Sequence, residues 1–238
     1  MLIAAIGDIH SPRFFDFYVK AVEDMQEKPD LFFLLGDIIY HGKIEEYGKV
    51  YNVLFGKVTC PLIACFGNEE HGPEMRMLIE NQNPDIKFLD DESLVLEIDN
   101  KSIGIVGSIG SLDRPTYWQR NNIPGIYDTY KKRVGIVEKL LSELDTDMKI
   151  LLIHYAPTYK ILEGENPRIY PELGCKTYEK VIIEQKPDLV ITGHSHRGRK
   201  QAWIETIPVF NVAFPLNKEI VLIDTEKDLK PGLEKFLE

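Results

Sequence analysis

The sequence predicts an α/β protein, and three observations carry that expectation. Five apolar runs, residues 2–6, 31–35, 62–66, 150–153 and 189–191, are each followed closely by a residue that can ligate a metal. Helical periodicity fills the gaps between the first three runs. Midway along the chain the gaps shrink to a few residues, so hairpins follow the βα units.

The first strand, residues 2–6, leads into Asp8 and His10 at spacing i, i+2, which on an extended chain puts both side chains on one face. Ser11-Pro12 reads as a helix start, Ser as N-cap and Pro at the first position. Phe14, Phe17, Tyr18, Val22 and Met25 then recur at helical spacing. Residues 31–35 are apolar throughout, as in a strand covered on both faces. Residues 44–55 read as a helix that Gly48 weakens, 62–66 as the third strand, and 73–82 as a short helix closed by Asn83-Pro84. This order implies a largely parallel sheet with right-handed crossovers.

Residues 86–89, 94–98 and 103–108 then read as short strands, with Asp99-Asn100-Lys101 as a tight hairpin turn. Residues 111–128 show no clean period, and a loop of that length is often functional. It carries Tyr117, Trp118 and Arg120, of which Tyr117 and Arg120 are taken as substrate-binding candidates; the plainer alternative is a surface loop with an aromatic anchor. Helix 129–144 precedes strand 150–153 and His154. Residues 155–172, with Pro157, Pro167 and Pro171, are irregular. Residues 177–185 read as helix, 189–191 as strand, 202–204 and 208–212 as a hairpin, and 219–223 as the last strand. Residues 228–238 are expected to be a polar tail or a short helix. With no repeat or linker, a single domain over residues 1–238 is expected.

Hydrophobic residues make up 44% and charged residues 28%, the balance of an ordinary soluble protein. A net charge of −10 disfavours a nucleic-acid binder acting through its whole surface. The basic runs 196–200 and 131–133 are the local exceptions, and the second reads more simply as a solvated helix face. Cys60, Cys65 and Cys175 form no CxxC pair and fit free thiols in a reducing compartment. No apolar run approaches the roughly 20 residues of a membrane helix, and no signal-peptide pattern opens the chain. A cytoplasmic protein without membrane contact is expected.

Asp8, His10, Asp37, Asn68, His154, His194 and His196 are oxygen or imidazole ligands without a thiolate. Gathered at neighbouring strand ends, they suffice for two divalent ions sharing a carboxylate, and the donor set suits Mn, Fe, Zn or Ni. Two such ions can clamp an in-line displacement at phosphorus. A neutral amide such as Asn68 adds a ligand without adding negative charge beside a phosphate. Other motifs fail: the stretch from Gly36 to Lys43 has one residue too many between its glycines for a phosphate loop, Arg197 replaces the second glycine of a nucleophile elbow, and no HExxH occurs.

In this order, Asp8-Ile9-His10, Gly36-Asp37, Gly67-Asn68, His154 and Gly193-His194-Ser195-His196 resemble the calcineurin-like metallophosphoesterase family. The resemblance implies two mixed β-sheets packed as a sandwich and flanked by helices, a four-layer αββα fold. It implies that Asp8, His10 and His196 hold one ion, that Asn68, His154 and His194 hold the other, and that Asp37 bridges them. A hydroxide held on this two-metal centre would then hydrolyse a phosphate ester. One departure stands out. The family reads Gly-Asn-His-Asp or Gly-Asn-His-Glu, whereas this chain has Gly67-Asn68-Glu69-Glu70-His71, so Glu69 takes the position of the His beside the leaving-group oxygen. Three readings stay open: Glu69 is kept protonated and acts as the acid, His71 swings in, or no protein acid is needed because the leaving group is good. His41 is expected at the surface or just behind the site. The expected activity is a metal-dependent phosphodiesterase acting on a small or nucleotide-like phosphate ester, with Asn68 and Glu69 as catalytic candidates. A non-catalytic protein-binding scaffold and a nuclease are the alternatives, and an oligomer is compatible with the sequence.

Overall fold

The computed structural model describes residues 1–230. In the first sheet β1 (Leu2–Ile6), β2 (Leu31–Leu35), β3 (Leu62–Cys65) and β4 (Ile86–Phe88) run parallel in that order. The intervening helices are α1 (Phe15–Asp24), α2 (Glu45–Leu54) and α3 (Pro73–Gln82). The second sheet begins with the hairpin of β5 (Glu92–Ile98) and β6 (Lys101–Ser108), turned at Asp99 and Asn100, both in left-handed backbone. Its order continues through β7 (Met148–Ile153), β8 (Leu189–Thr192), β10 (Ile207–Asn211) and β9 (Gln201–Ile204). Strands β6, β7, β8 and β10 are parallel, and β5 and β9 are antiparallel edges. β11 (Val221–Asp224) returns to the first sheet, antiparallel to β1.

Strand alternation explains the apolar runs. Leu31, Phe33 and Leu35 point to the sheet interface, where they meet Ile105, Ile150, Leu152 and Ile191 of the second sheet. Phe32 and Leu34 point the other way, onto Tyr18 and Val22 of α1 and Tyr47 and Val50 of α2. On the far side Val106, Leu151 and Val190 pack against α5 (Ile126–Glu143) and α6 (Thr177–Gln185) through Val137, Leu141 and Ile182. The inner strands β1, β2, β3, β7 and β8 are covered on both faces and are largely apolar, whereas the edge strand β5 alternates and leaves Val95 exposed. The result is the helix–sheet–sheet–helix sandwich.

Several local expectations are corrected. Ser11 is not a helix N-cap: its hydroxyl donates to Glu46, its N–H donates to the Ile38 carbonyl, and α1 starts later, at Phe15. The Asp8–Ser11 stretch therefore belongs to a loop hydrogen-bonded alongside residues 36–39. Residues 111–128 are not one long loop. They contain α4 (Tyr117–Asn122), opened by a capping box between Thr116 and Gln119. α5 starts at Ile126 rather than 129, after Gly125 turns the chain in left-handed backbone. Two such short pieces give no single period. Residues 155–172 contain 3-10 turns at Tyr159–Leu162 and Pro167–Glu172, and the four-residue α7 (Phe214–Asn217) adds to the expected elements. Of the expected polar tail, residues 231–238 lie outside the described residues.

Candidate metal centre and its cavity

The ligand-type residues follow the C-terminal ends of parallel strands in both sheets. Asp8 and His10 follow β1, Asp37 follows β2, Asn68 follows β3, His154 follows β7, and His194 and His196 follow β8. The sheets are tied together at these ends. His154 Nδ1 lies 2.7 Å from the Leu35 carbonyl oxygen and donates to it, and the His194 N–H donates to Asp8 Oδ2 at 2.9 Å. The extended-strand reading of Asp8 and His10 is corrected: both adopt left-handed backbone, φ 56° and 47°, as do Asp37 (49°) and His194 (65°). Such φ values are uncommon outside glycine and collect at functional sites, where surrounding contacts hold them.

Two clusters result. In one, Asp8, His10 and His196 each offer an atom within 4.8 Å of the others; in the second, Asp8, Asp37, His154 and His194 do the same. In the first, His10 Nε2 and His196 Nε2 are 3.3 Å apart, and His196 Nε2 is 3.1 Å from Asp8 Oδ1. In the second, His154 Nε2 lies 3.5 Å from Asp37 Oδ2. The bond to Leu35 fixes the His154 tautomer and leaves Nε2 as the atom that could bind a metal. Buried His154 Nε2 and Asn68 Oδ1 have no hydrogen-bond partner. Buried polar atoms are rarely left so, and unpartnered acceptors of this kind suit a divalent cation. Asp8 is the carboxylate common to both clusters; Asp37 commits Oδ1 to the Glu69 N–H at 2.8 Å and turns Oδ2 towards His154.

Electrostatics follow from this crowding. Burial opposes charge on His154, but Asp37 and Asp8 outweigh it and hold its pKa up at about 9. Burial likewise opposes charge on Asp37, yet His154 holds its carboxyl well below the usual range; burial opposes charge on Asp8 too, and His196 and His154 lower its pKa. Burial and the neighbouring His154 push His194 down to about 3. Burial works against the charged form of His196 too, but its bond to Asp8 raises the pKa. Close approach explains Gly67: a Cβ on it would overlap both the Oδ1 and the backbone N of Asp37.

A family model, calcineurin-like phosphoesterase, matches residues 1–198. The chain belongs to the calcineurin-like phosphoesterase family. It is a hydrolase acting on phosphate esters. Over 218 residues it is 27% identical to a probable glycerophosphodiester phosphodiesterase, GpdQ, of Arcobacter nitrofigilis, covering 88% of this chain and 71% of that one. Among solved structures, the phosphopantetheinyl hydrolase PptH from Mycobacterium tuberculosis superposes with a TM-score of 0.72 at 14% identity, covering 97% of this chain and 98% of that one. TT1561 of Thermus thermophilus gives 0.58 at 16% identity, covering 94% and 98%. These two show the shared fold. No helix among the described residues is long and apolar enough to cross a membrane.

In this phosphoesterase the Glu69-Glu70 pair divides its labour differently from the sequence reading. The Glu69 carboxylate accepts the His41 N–H at 2.7 Å and does not line the cavity beside the site. Glu70 is fully buried and accepts the N–H groups of Gly67, Asp37, Ile38 and Ile39. Burial and Asp37 push its pKa up to about 7, against the pull of those N–H bonds. His41 is exposed, its ring over Tyr40.

A cavity of about 380 Å³ is lined in part by Asn68 and His194. Trp118 and Gln119 line it, but Tyr117 and Arg120 do not. The capping box faces Thr116 and Gln119 inward. Tyr117 is 76% exposed, and Arg120 is spent on the Pro115 carbonyl and Glu172. Arg76 and Arg133, missed in the sequence, also line the cavity; each pairs with a carboxylate, Asp90 and Asp91 respectively. The Asp90-Asp91 pair directly after a strand was the available signal. His71 also lines the cavity, edge-on to Trp118 with ring centroids 5.2 Å apart. Of residues 155–172, Tyr155 and Glu172 line the cavity, while Glu165 accepts from Ser195 and the Arg197 N–H and so braces the His194–His196 loop.

Proposed function

We propose that the protein is a metal-dependent phosphodiesterase with a two-ion centre. The carrying observation is the pair of side-chain clusters that share Asp8, together with two buried ligand-type atoms without a hydrogen-bond partner, His154 Nε2 and Asn68 Oδ1, beside a cavity lined by Asn68 and His194. Asp8, His10 and His196 would hold one divalent ion and Asn68, His154 and His194 the other, with the Asp8 and Asp37 carboxylates between them. Mn, Fe, Zn or Ni suits these donors. When bound, the ions supply a nucleophile from water at neutral pH and countercharge for the phosphoryl oxygens. The chain's own part is to hold the ligands rigidly, through the Leu35, Glu69 and His194 backbone bonds, and to keep Asn68 neutral beside the phosphate.

The preference for diesters rests on charge. The arginines of the cavity are already matched by Asp90 and Asp91, so the protein offers little extra cation for the second charge of a monoester. With Glu69 bound to the His41 N–H, a substrate whose leaving group needs no protonation is favoured. The phosphodiesterase name of the curated relative agrees with this reading. A nuclease is less favoured, because Arg199 and Lys200 of the basic run pair with Glu163 and Glu219.

The test compares bis(4-nitrophenyl) phosphate with 4-nitrophenyl phosphate on the manganese-loaded protein. We expect kcat/KM for the diester to exceed that for the monoester by at least about tenfold, and Asp37→Asn or His154→Ala to lose about a hundredfold or more. A monoester preference, or an Asp37→Asn variant as active as the parent, would overturn the proposal.

A further inference from the structure

We propose that the cavity beside the metal centre is a subsite for one ester substituent of the substrate and that it selects an uncharged, ring-bearing group. This rests on the diesterase reading for the placement of the phosphorus, and on the cavity alone for its selectivity.

Asn68 and His194 line the cavity, so a phosphate held at the ligand clusters lies beside it and can direct one substituent into it. Its inner wall is a separate apolar cluster: Ile109, Leu112, Ile126, Tyr130 and Tyr155 pack together, with Ile123 against them. This cluster is not part of the sheet cores. Two of its members are rings, and Tyr155 is fixed by a hydrogen bond from Gln119 Nε2. Trp118, which also lines the cavity, is 53% exposed. A large aromatic left half in water beside a concave apolar wall is a platform on which a planar ring gains contact area.

The polar groups around this wall argue against a charged occupant. Arg76 gives Nη1 to both oxygens of Asp90 and its Nε to the Glu70 carbonyl. Arg133 gives Nε to both oxygens of Asp91 and Nη1 to the Gly110 carbonyl. Gln119 uses its oxygen on the Thr116 N–H and its amide on Tyr155. Glu172 takes Arg114 and Arg120. A second phosphate entering here would have to break these pairs and would meet Asp90 and Glu172, so a nucleotide anhydride is disfavoured. A small polar alcohol would leave the apolar wall wet. An aryl or nucleoside-like group satisfies both conditions, lying on the wall without displacing an ion pair.

The decisive measurement is the aryl preference, the ratio of kcat/KM for bis(4-nitrophenyl) phosphate to that for glycerophosphoethanolamine, the latter followed by phosphorus NMR. Intrinsic reactivity cancels when the parent is compared with Trp118→Ala and Ile123→Ala. We expect each variant to lower the ratio about fivefold or more. A ratio unchanged in both variants overturns the subsite. A parent that hydrolyses no diester defeats the proposed function instead, and the subsite is then read by binding. In a Trp203→Phe background, Trp118 fluorescence should respond to diphenyl phosphate at concentrations where diethyl phosphate has no effect. An equal response to both, or none, would overturn it.

Discussion

At the scale of single residues, the site is built against local preference. Asp8, His10, Asp37 and His194 sit in left-handed backbone, a conformation that costs on the order of 1 kcal/mol each for a non-glycine residue. Glu70 stands under this strain: four N–H groups of the 37–39 and 67 backbone end on its carboxylate. Glu70→Ala should therefore lower the unfolding free energy by about 3 kcal/mol or more, since buried donors left without an acceptor cost roughly 1–3 kcal/mol each. Glu70→Gln, which keeps one acceptor oxygen, should lose less; urea denaturation of the two variants measures the difference. Titration adds a second expectation. In the metal-free protein His154 has a folded pKa of about 9 against 6.5 for an unperturbed imidazole, so its stabilising contribution is complete below pH 6.5 and lost as the pH rises to 9. Glu70, raised to about 7, acts in the same sense between pH 4.5 and 7. Thermal melts of metal-free protein should fall across pH 6.5–9. Metal affinity should move the opposite way, tightening by up to about tenfold per pH unit as His154 sheds its proton; isothermal titration at several pH values checks the slope.

At the scale of elements, strands and short helices do different work. Strand ends deliver the candidate ligands, and α4 shapes the cavity. The capping box between Thr116 and Gln119 satisfies the first N–H groups of α4 and orients Gln119 towards Tyr155. Thr116→Ala should cost about 1 kcal/mol, typical for loss of an N-cap, and should loosen Trp118 along with the helix. Chemical denaturation reads the first effect and the Trp118 emission maximum the second. α4 also explains which aromatics face the cavity. In a six-residue helix with Thr116 and Gln119 turned inward, Tyr117 and Arg120 fall on another face, where Arg120 meets Pro115 and Glu172.

For the whole molecule, the candidate metal centre lies where the two sheets meet. Asp8, His10, Asp37 and Asn68 come from the first sheet and His154, His194 and His196 from the second. Divalent ions bound there would cross-link the two halves of the sandwich as well as serve catalysis. Ligand binding to the folded state alone stabilises by about 4 kcal/mol at a thousandfold excess over Kd. Manganese should therefore raise the melting temperature, and chelation should lower it and abolish activity together. Asp37→Asn should blunt both responses; a melting temperature indifferent to metal would remove the cross-link.

Much of this protein is legible in its sequence because the relevant information is local. A buried strand shows itself as an apolar run, and each candidate ligand lies within a few residues of such a run, so Asp8, His10, Asp37, Asn68, His154, His194 and His196 can be marked and ordered along the chain. The switch from βα units to hairpins near residue 90 is equally local, a matter of how few residues separate the strands. Tertiary structure alone decided what depends on partners far away in the chain. Glu69 and Glu70 are adjacent and chemically alike, but the loop after β2, some thirty residues earlier, takes the Glu70 carboxylate on its buried N–H groups and leaves Glu69 to His41. Arg76 and Arg133 become neutralised cavity walls only because the chain folds Asp90 and Asp91 between them. Hydrogen bonding and burial select among equivalent residues by position in space, and that selection has no local signature in the chain.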